Sequence, residues 1–299
     1  MQILSRIPQP ACRAVALETT LLVHGVPRES ASRLGADLAQ IVRNEGAYPA
    51  LVGVHAGVPT VGLSDQELTA LLEAKEVPKA NTANLGVLLH QSSHAATTVS
   101  TTMELAAPAG VRLFATGGIG GVHRGYGTKL DISSDLAAFA RHPVAVVTSG
   151  VKSILDVEAT RELLETLGIP VIGYRTSSFP AFYLRTSKAE VDARFDDPEQ
   201  LASFVRAELA RTGRGIVIAN PVPHEHELDA KEWEEWLDLA NKAAAAEVGR
   251  GRSATPLLLS KLHEVSGGRT LRSNIELAKS NAALAGRIAA LIAAMEATR

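Results

Sequence analysis

The stretch VAVVTSGVKSILDVEATRELLETLGIPVIGY, residues 144–174, carries the pattern that decides the fold. Its first six residues, four of them apolar and three of them valine, read as a buried strand. Asp156 can cap a helix, and the residues after it place apolar side chains at helical spacing until Gly168 ends the run. The segment VIGY, 171–174, then reads as a second strand. Working outward, the same alternation recurs. Val15–Leu17, 50–54, 111–116 and 215–220 read as further strands. The segments 30–46, 64–75, 133–142 and 197–213 show helical periodicity, most opening on Ser or Asp and two more ending at Gly46 and Gly213. Strands alternating with helices predict an α/β fold whose largely parallel sheet is covered by helices. The last fifty residues, alanine-rich and helical, predict a C-terminal helical cap or an oligomer contact. No linker, repeat or low-complexity block divides the chain, so residues 1–299 read as one domain.

Composition narrows the function. The chain has 299 residues, is 46% hydrophobic and 21% charged, and carries a net charge of −2 with only 4% aromatics. A nucleic-acid surface needs basic stripes and stacking rings, which this balance argues against, so small molecules are the expected partners. Cys12 is the only cysteine, so no intrachain disulfide forms, and a reducing compartment suits that. The first twenty residues interrupt their apolar positions with Arg, Pro and Gln before a signal-like core can form, and no later run reads as membrane-spanning. A cytoplasmic setting is expected.

Polar residues at strand ends are the candidates for chemistry, because α/β folds place their sites there. Glu18 closes the first strand and reads either as a solvated loop acid or cap, or as a catalytic carboxylate. FATGGIGGVHRG, 114–125, follows a strand with five glycines, one His and one Arg. Glycines let backbone N–H groups close on an oxyanion and Arg can grip a phosphate, although Gly-rich turns are common and neither the Walker nor the dinucleotide spacing is met. KLDISSDL, 129–136, reads as a helix N-cap with first-turn acids, or as a site. Lys152 stands between a buried strand and a helix start. It reads as a snorkelling surface lysine, or as an amine whose pKa falls through lost hydration and the helix dipole, which makes it a carbonyl nucleophile. Lys79 is a second lysine in a polar loop. HEHEL, 224–228, lacks zinc-protease spacing and reads as a solvated turn.

ALETTLLVHGVP, AATTVSTTM, FATGGIGGVHRG, DISSDL, VKSILD, LGIPVIGYRTSSFPAFYLRTS and LRSNIELAKSNAALA, with other segments in the same order nearly end to end, resemble the pseudouridine-5′-phosphate glycosidase family, also called indigoidine synthase A-like. The resemblance implies an α/β/α layered fold, a homotrimer, and chemistry at the C–C bond between C1′ of ribose 5-phosphate and a planar ring. It implies that Lys152 holds the opened sugar as an imine and that Glu18 moves the proton on the ring carbon. It further implies that Asp131 holds Mn²⁺ near the phosphate, and that Lys79, Val99, Ser133, Ser134, Asp135 and Asn274 line the substrate. Thr116 and His123, from the glycine-rich run, complete the substrate-binding candidates. One segment departs. The family's Lys-Val-Ser-Arg-Arg-Asp is here Lys79-Ala80-Asn81-Thr82-Ala83-Asn84, which leaves the ribose-phosphate chemistry intact and opens the question of the aglycone. The favoured expectation is C-ribosylation of an aromatic polyketide-type acceptor, as in the alnumycin branch. The alternatives are a pseudouridine-5′-phosphate glycosidase releasing uracil, and a non-catalytic sugar-phosphate-binding protein.

Overall fold

Every strand expected from the sequence forms, each within two residues of its expected ends, in a computed structural model that describes residues 2–127, 130–247 and 261–297. In chain order the strands are β1 (Leu4–Ser5), β2 (Ala14–Glu18), β3 (Tyr48–His55), β4 (Val58–Val61), β5 (Lys79–Ala80), β6 (Ala95–Thr97) and β7 (Leu113–Ala115). They continue with β8 (Val122–His123), β9 (Ala145–Thr148), β10 (Leu155–Asp156), β11 (Val171–Tyr174), β12 (Ala193–Phe195) and β13 (Ile216–Ala219). The helices are α1 (Thr20–His24), α2 (Arg28–Asn44), α3 (Asp65–Glu73), α4 (Leu85–His90) and α5 (Val99–Ala106). After them come α6 (Ser134–Phe139), α7 (Val157–Thr166), α8 (Pro198–Thr212), α9 (Ala230–Glu247) and α10 (Arg269–Ala297).

Three expected caps do their work, whereas the helix expected to open on Ser30 starts earlier, at Arg28, with Pro27 as its N-cap and no side-chain cap bond. Asp156 accepts the Ala159 N–H at the start of α7, Ser64 and Glu67 form a reciprocal capping box on α3, and Asp197 accepts the Glu199 N–H on α8. Gly46, Gly168 and Gly213 all take positive φ just past helix ends, where a side chain would be strained.

Strands β3-β2-β7-β9-β13-β11-β12 run parallel, with antiparallel additions from β4 and β6 at the β3 edge. The opening stretch is the β9–α7–β11 unit, but β13 arrives later in the chain and slips between its two strands. Both faces of the sheet are buried, as parallel sheets require. Val15, Leu17, Leu113 and Val147 pack against α2, α8 and α10; Ala16, Phe114, Val146 and Val217 pack against α5, α6 and α7. The result is three layers, α/β/α.

Helix α10, expected as a cap, belongs to one of these layers. It lies against β2, β7 and β9 and against α2. Leu277, Ala285, Ile288 and Ile292 are fully or almost fully buried, each large one contributing roughly 1.5–3 kcal/mol. Gly286 lets the two helices touch, since a Cβ there would meet the Glu45 side chain at 2.9 Å. Contrary to the sequence expectation, α10 is long and apolar enough to cross a membrane by composition. Yet 56% of that window is buried inside the fold, so its apolar character serves the core.

The crevice follows from strand order. From β2 the chain moves outward to β3, then returns on the other side at β7, so the loops leaving β2 and β7 diverge at their carboxyl ends. Open α/β sheets bind ligands at such a reversal.

Candidate active site

Glu18 is the last residue of β2, and the pairing Leu17↔Ala115 brings Thr116 of the neighbouring strand end beside it. The Thr116 hydroxyl donates to Glu18 Oε1 across the reversal point. Glu18 is only 7% exposed. Burial pushes its carboxyl above the usual carboxylate range, and the nearby Lys152 charge and the Thr116 bond oppose that rise without cancelling it. A carboxyl held in this way can keep a proton where an exposed one would have lost it.

Lys152 comes from the loop after β9. Gly150 makes that loop possible: its φ is +90°, and a Cβ there would lie 1.7 Å from the Pro180 carbonyl oxygen. The Lys152 N–H donates to the Ile119 carbonyl at 3.1 Å and its own carbonyl accepts from Leu155. The two-residue strand β10 stands between Lys152 and α7, and Glu18 and Lys79 are charged neighbours of the amine. Lys79, half-buried on β5, has its pKa held below the ordinary amine value, by burial first and by the Lys152 charge second. One pocket therefore holds an acid and two amines.

The rest of the wall mixes aromatic and amide groups. Thr116, Gly117, Gly118, Phe182, Tyr183, His24, His263 and Asn274 line it with Glu18, Lys79 and Lys152. Phe182 sits at φ +65°, a strained setting for an aromatic residue, with its N–H donating to Ser149. Its ring lies against Gly117 and Gly118, where a Cβ on Gly118 would come within 2.5 Å. Asn274 Oδ1 is buried and has no hydrogen-bond partner in the protein. A buried orphan acceptor at a pocket wall suits a ligand donor.

The other sequence candidates gather next to this pocket. Asp135 is buried, and its two oxygens accept the N–H groups of Ser100 and Gly120, each at 2.9 Å. Ser133 caps α6, Ser134 Oγ lies 3.1 Å from Ser100 Oγ, and Val99 is buried at the start of α5. These four sit where the starts of α5 and α6 meet, close enough for the Asp135 charge to act on Glu18. The glycine-rich run joins the two groups, and Gly120 is not a free backbone donor in it. Gly120 gives its N–H to Asp135, and a Cβ on Gly120 or Gly121 would strike Ser133 or Thr160 at 2.2 and 2.3 Å. Arg124 reaches the Ser153 and Leu155 carbonyls, bracing the Lys152 loop. Farther out, His123 and Asp131 pair at 3.8 Å with both side chains exposed. Among the described residues no three or more His, Cys, Asp or Glu side chains come together as a metal site, and this holds for HEHEL, where Glu227 accepts from the Arg185 N–H.

The departing segment contributes only Lys79 to the pocket. Asn81 and Asn84 bond each other's backbone, at 2.7 and 3.1 Å, and Asn84 also donates to the Lys79 carbonyl. His24, His263, Phe182 and Tyr183 were not candidates from sequence. All four lie in segments of ordinary composition, and only the chain's path brings them to one wall.

An α/β fold that aims a buried acid and two amines into a crevice at a strand-order reversal defines an enzyme pocket built for proton transfer and amine chemistry. Comparison with known proteins gives the family. Residues 9–291 match the family described as indigoidine synthase A like protein. The pseudouridine-5′-phosphate glycosidase of Symbiobacterium thermophilum is 45% identical over 94% of this chain and 92% of its own length. That of Methylobacterium nodulans is 47% identical over 92% of this chain and 82% of its own. Among solved structures, the prealnumycin C-glycosynthase AlnA in complex with ribulose 5-phosphate superposes with a TM-score of 0.90 at 32% identity, covering all of both chains. An indigoidine synthase A-like protein from Thermotoga maritima gives 0.86 at 37% identity over 96% of this chain and 95% of its own. The chain belongs to the indigoidine synthase A-like family.

Proposed function

We propose that this enzyme of C-glycosidic bonds cleaves pseudouridine 5′-phosphate, or a close C-nucleoside 5′-phosphate, to the free base and ribose 5-phosphate. The observation that carries the reading is Glu18, buried with a raised pKa, facing Lys152 in one pocket. A C–C glycosidic bond offers no leaving heteroatom to protonate, so the base carbon departs with the bond's electrons and C1′ needs an electron donor. Lys152 supplies it: Nζ bonds to C1′ as the C1′–ring oxygen bond breaks, the ring oxygen takes the proton the amine gives up, and the nitrogen lone pair then expels the base carbon as the imine forms. That carbon takes its proton from Glu18. Ribose 5-phosphate remains as an imine on Lys152 until water releases it.

Asp131 is the proposed holder of Mn²⁺. It brings one carboxylate, with His123 beside it, and so fits a hard cation that completes its shell with waters and substrate phosphate oxygens. Such an ion would supply charge neutralisation at the phosphate. A homotrimer and a cytoplasmic setting belong to the same reading and rest on the family resemblance.

A second reading, C-ribosylation of an aromatic acceptor, is favoured by the likeness to AlnA and by the loss of Arg-Arg-Asp after Lys79. Two findings set it second. The glycosidase relatives are more similar to this chain, at 45–47% identity. The altered segment spends its two asparagines on itself and does not enter the pocket past Lys79.

Borohydride reduction in the presence of ribose 5-phosphate tests the chemistry. The expected result is a ribose-phosphate adduct on the Lys152 peptide by mass spectrometry, absent from Lys152→Ala, and uracil release from pseudouridine 5′-phosphate by the parent. No adduct on that peptide, or undiminished activity in Lys152→Ala, overturns the mechanism.

A further inference from the structure

The start of α10 places Asn274 on the pocket wall and Thr270 against another wall residue, His263. Thr270 and Asn274 are four residues apart on the helix and so share a face. Asn274 brings a buried, unpartnered Oδ1. Thr270 is fully buried and its hydroxyl lies 2.6 Å from His263 Nδ1, while Ser266 Oγ lies 2.9 Å from that same hydroxyl. The imidazole is therefore pinned by a buried hydroxyl pair, and it lines the pocket. With Nδ1 engaged, Nε2 is the ring nitrogen left for a ligand. Burial lowers the His263 pKa, which keeps the ring neutral at neutral pH and able to take either role in a hydrogen bond.

We infer that His263 is a specificity-determining residue: beside Asn274, which the family resemblance already places at the substrate, it reads the imide edge, –CO–NH–, of a planar ring in the pocket that Phe182 and Tyr183 also line. The inference rests on the proposed cleavage of a C-nucleoside phosphate and names the part of the substrate that His263 recognises. An imide offers an adjacent donor and acceptor, and an amide oxygen and a neutral imidazole lining one pocket are its complement. A hydroxylated aromatic ring without an imide leaves one of these buried groups unpaired, which costs more than the contact gains. The pocket therefore prefers a pyrimidinedione-type ring to a phenolic one.

Four proteins are compared: the parent, His263→Leu, His263→Gln and Thr270→Val. Each is assayed for borohydride trapping with ribose 5-phosphate, for kcat and KM on pseudouridine 5′-phosphate, and for turnover of the N3-methylated substrate, whose imide N–H is blocked. His263→Leu is expected to trap ribose phosphate like the parent, to raise KM by about tenfold or more, the scale of one lost hydrogen bond, and to lose much of the parent's preference over the N3-methyl substrate. His263→Gln recovers part of that KM, and Thr270→Val falls between the parent and His263→Leu because the ring is present but unpinned. An active parent together with a His263→Leu variant that traps normally and keeps KM and N3-methyl preference within twofold overturns the inference. A parent that forms no adduct and releases no base overturns the proposed function instead. Loss of trapping in both His263→Leu and His263→Gln shows a structural role and also overturns the inference.

Discussion

Replacing Asn281 by leucine keeps the side-chain volume and removes the hydrogen bonds that tie α10 to the strand ends under the pocket. Asn281 is fully buried. Its amide donates to the Thr116 carbonyl at 2.7 Å and to Ser149 Oγ at 3.2 Å, and its oxygen accepts from Asn220 at 2.9 Å. Asn220 keeps a second acceptor, Ser280 Oγ at 3.1 Å, so it loses least. The Thr116 carbonyl and the Ser149 hydroxyl lose a buried partner each. At roughly 1–3 kcal/mol per stranded buried group, Asn281→Leu should cost about 2–6 kcal/mol. Urea unfolding should show a lower midpoint with an unchanged slope, and Tm should fall on the order of 3–10 °C. There is a catalytic signature as well. The Thr116 hydroxyl draws the Glu18 pKa down, so loosening Thr116 should move the Glu18 limb of the kcat/KM profile to higher pH. A stability loss under about 1 kcal/mol with an unmoved pH profile would refute the reasoning, since buried groups left without partners cannot be that cheap.

Two further outcomes follow from the same site. Glu18 has a folded-state pKa above its unfolded value, so the stability linked to its proton is present below the ordinary carboxylate pKa of about 4.3 and is lost as pH rises through the raised value. Glu18→Gln should therefore gain Tm relative to the parent increasingly as pH rises, while losing activity; a Tm difference that stays constant with pH argues against the buried-acid assignment. Asp131→Ala should leave stability within about 0.5 kcal/mol, because the side chain is 66% exposed, and should abolish the effect of manganese on KM for the phosphorylated substrate. Manganese titrations that match the parent's remove Asp131 from the metal's binding.

Local chemistry settled much of this protein within the sequence itself. Runs such as Val144–Ser149 could only be buried strands, and Asp156, Ser64 and Asp197 announced helix starts because a side-chain acceptor there satisfies an otherwise bare N–H. Glu18, Lys79, Thr116, Lys152 and Asn274, which share the pocket, were all legible, the first four as polar residues at strand or loop ends and Asn274 through the family resemblance. Distance in space was not legible. Nothing local says that β13 inserts between β9 and β11, that α10 packs on the sheet as part of one helical layer, or that Gly120 spends its N–H on Asp135. His263, just ahead of α10, and Phe182, in the loop after β11, belong to segments far apart in the chain, and only the folded chain brings them to one wall. Periodicity and capping act within a few residues, so the sequence determines which elements form. The order of strands and the partners of buried polar groups depend on minimising the whole chain's exposed apolar surface and unpaired donors together, and only the tertiary structure decides that.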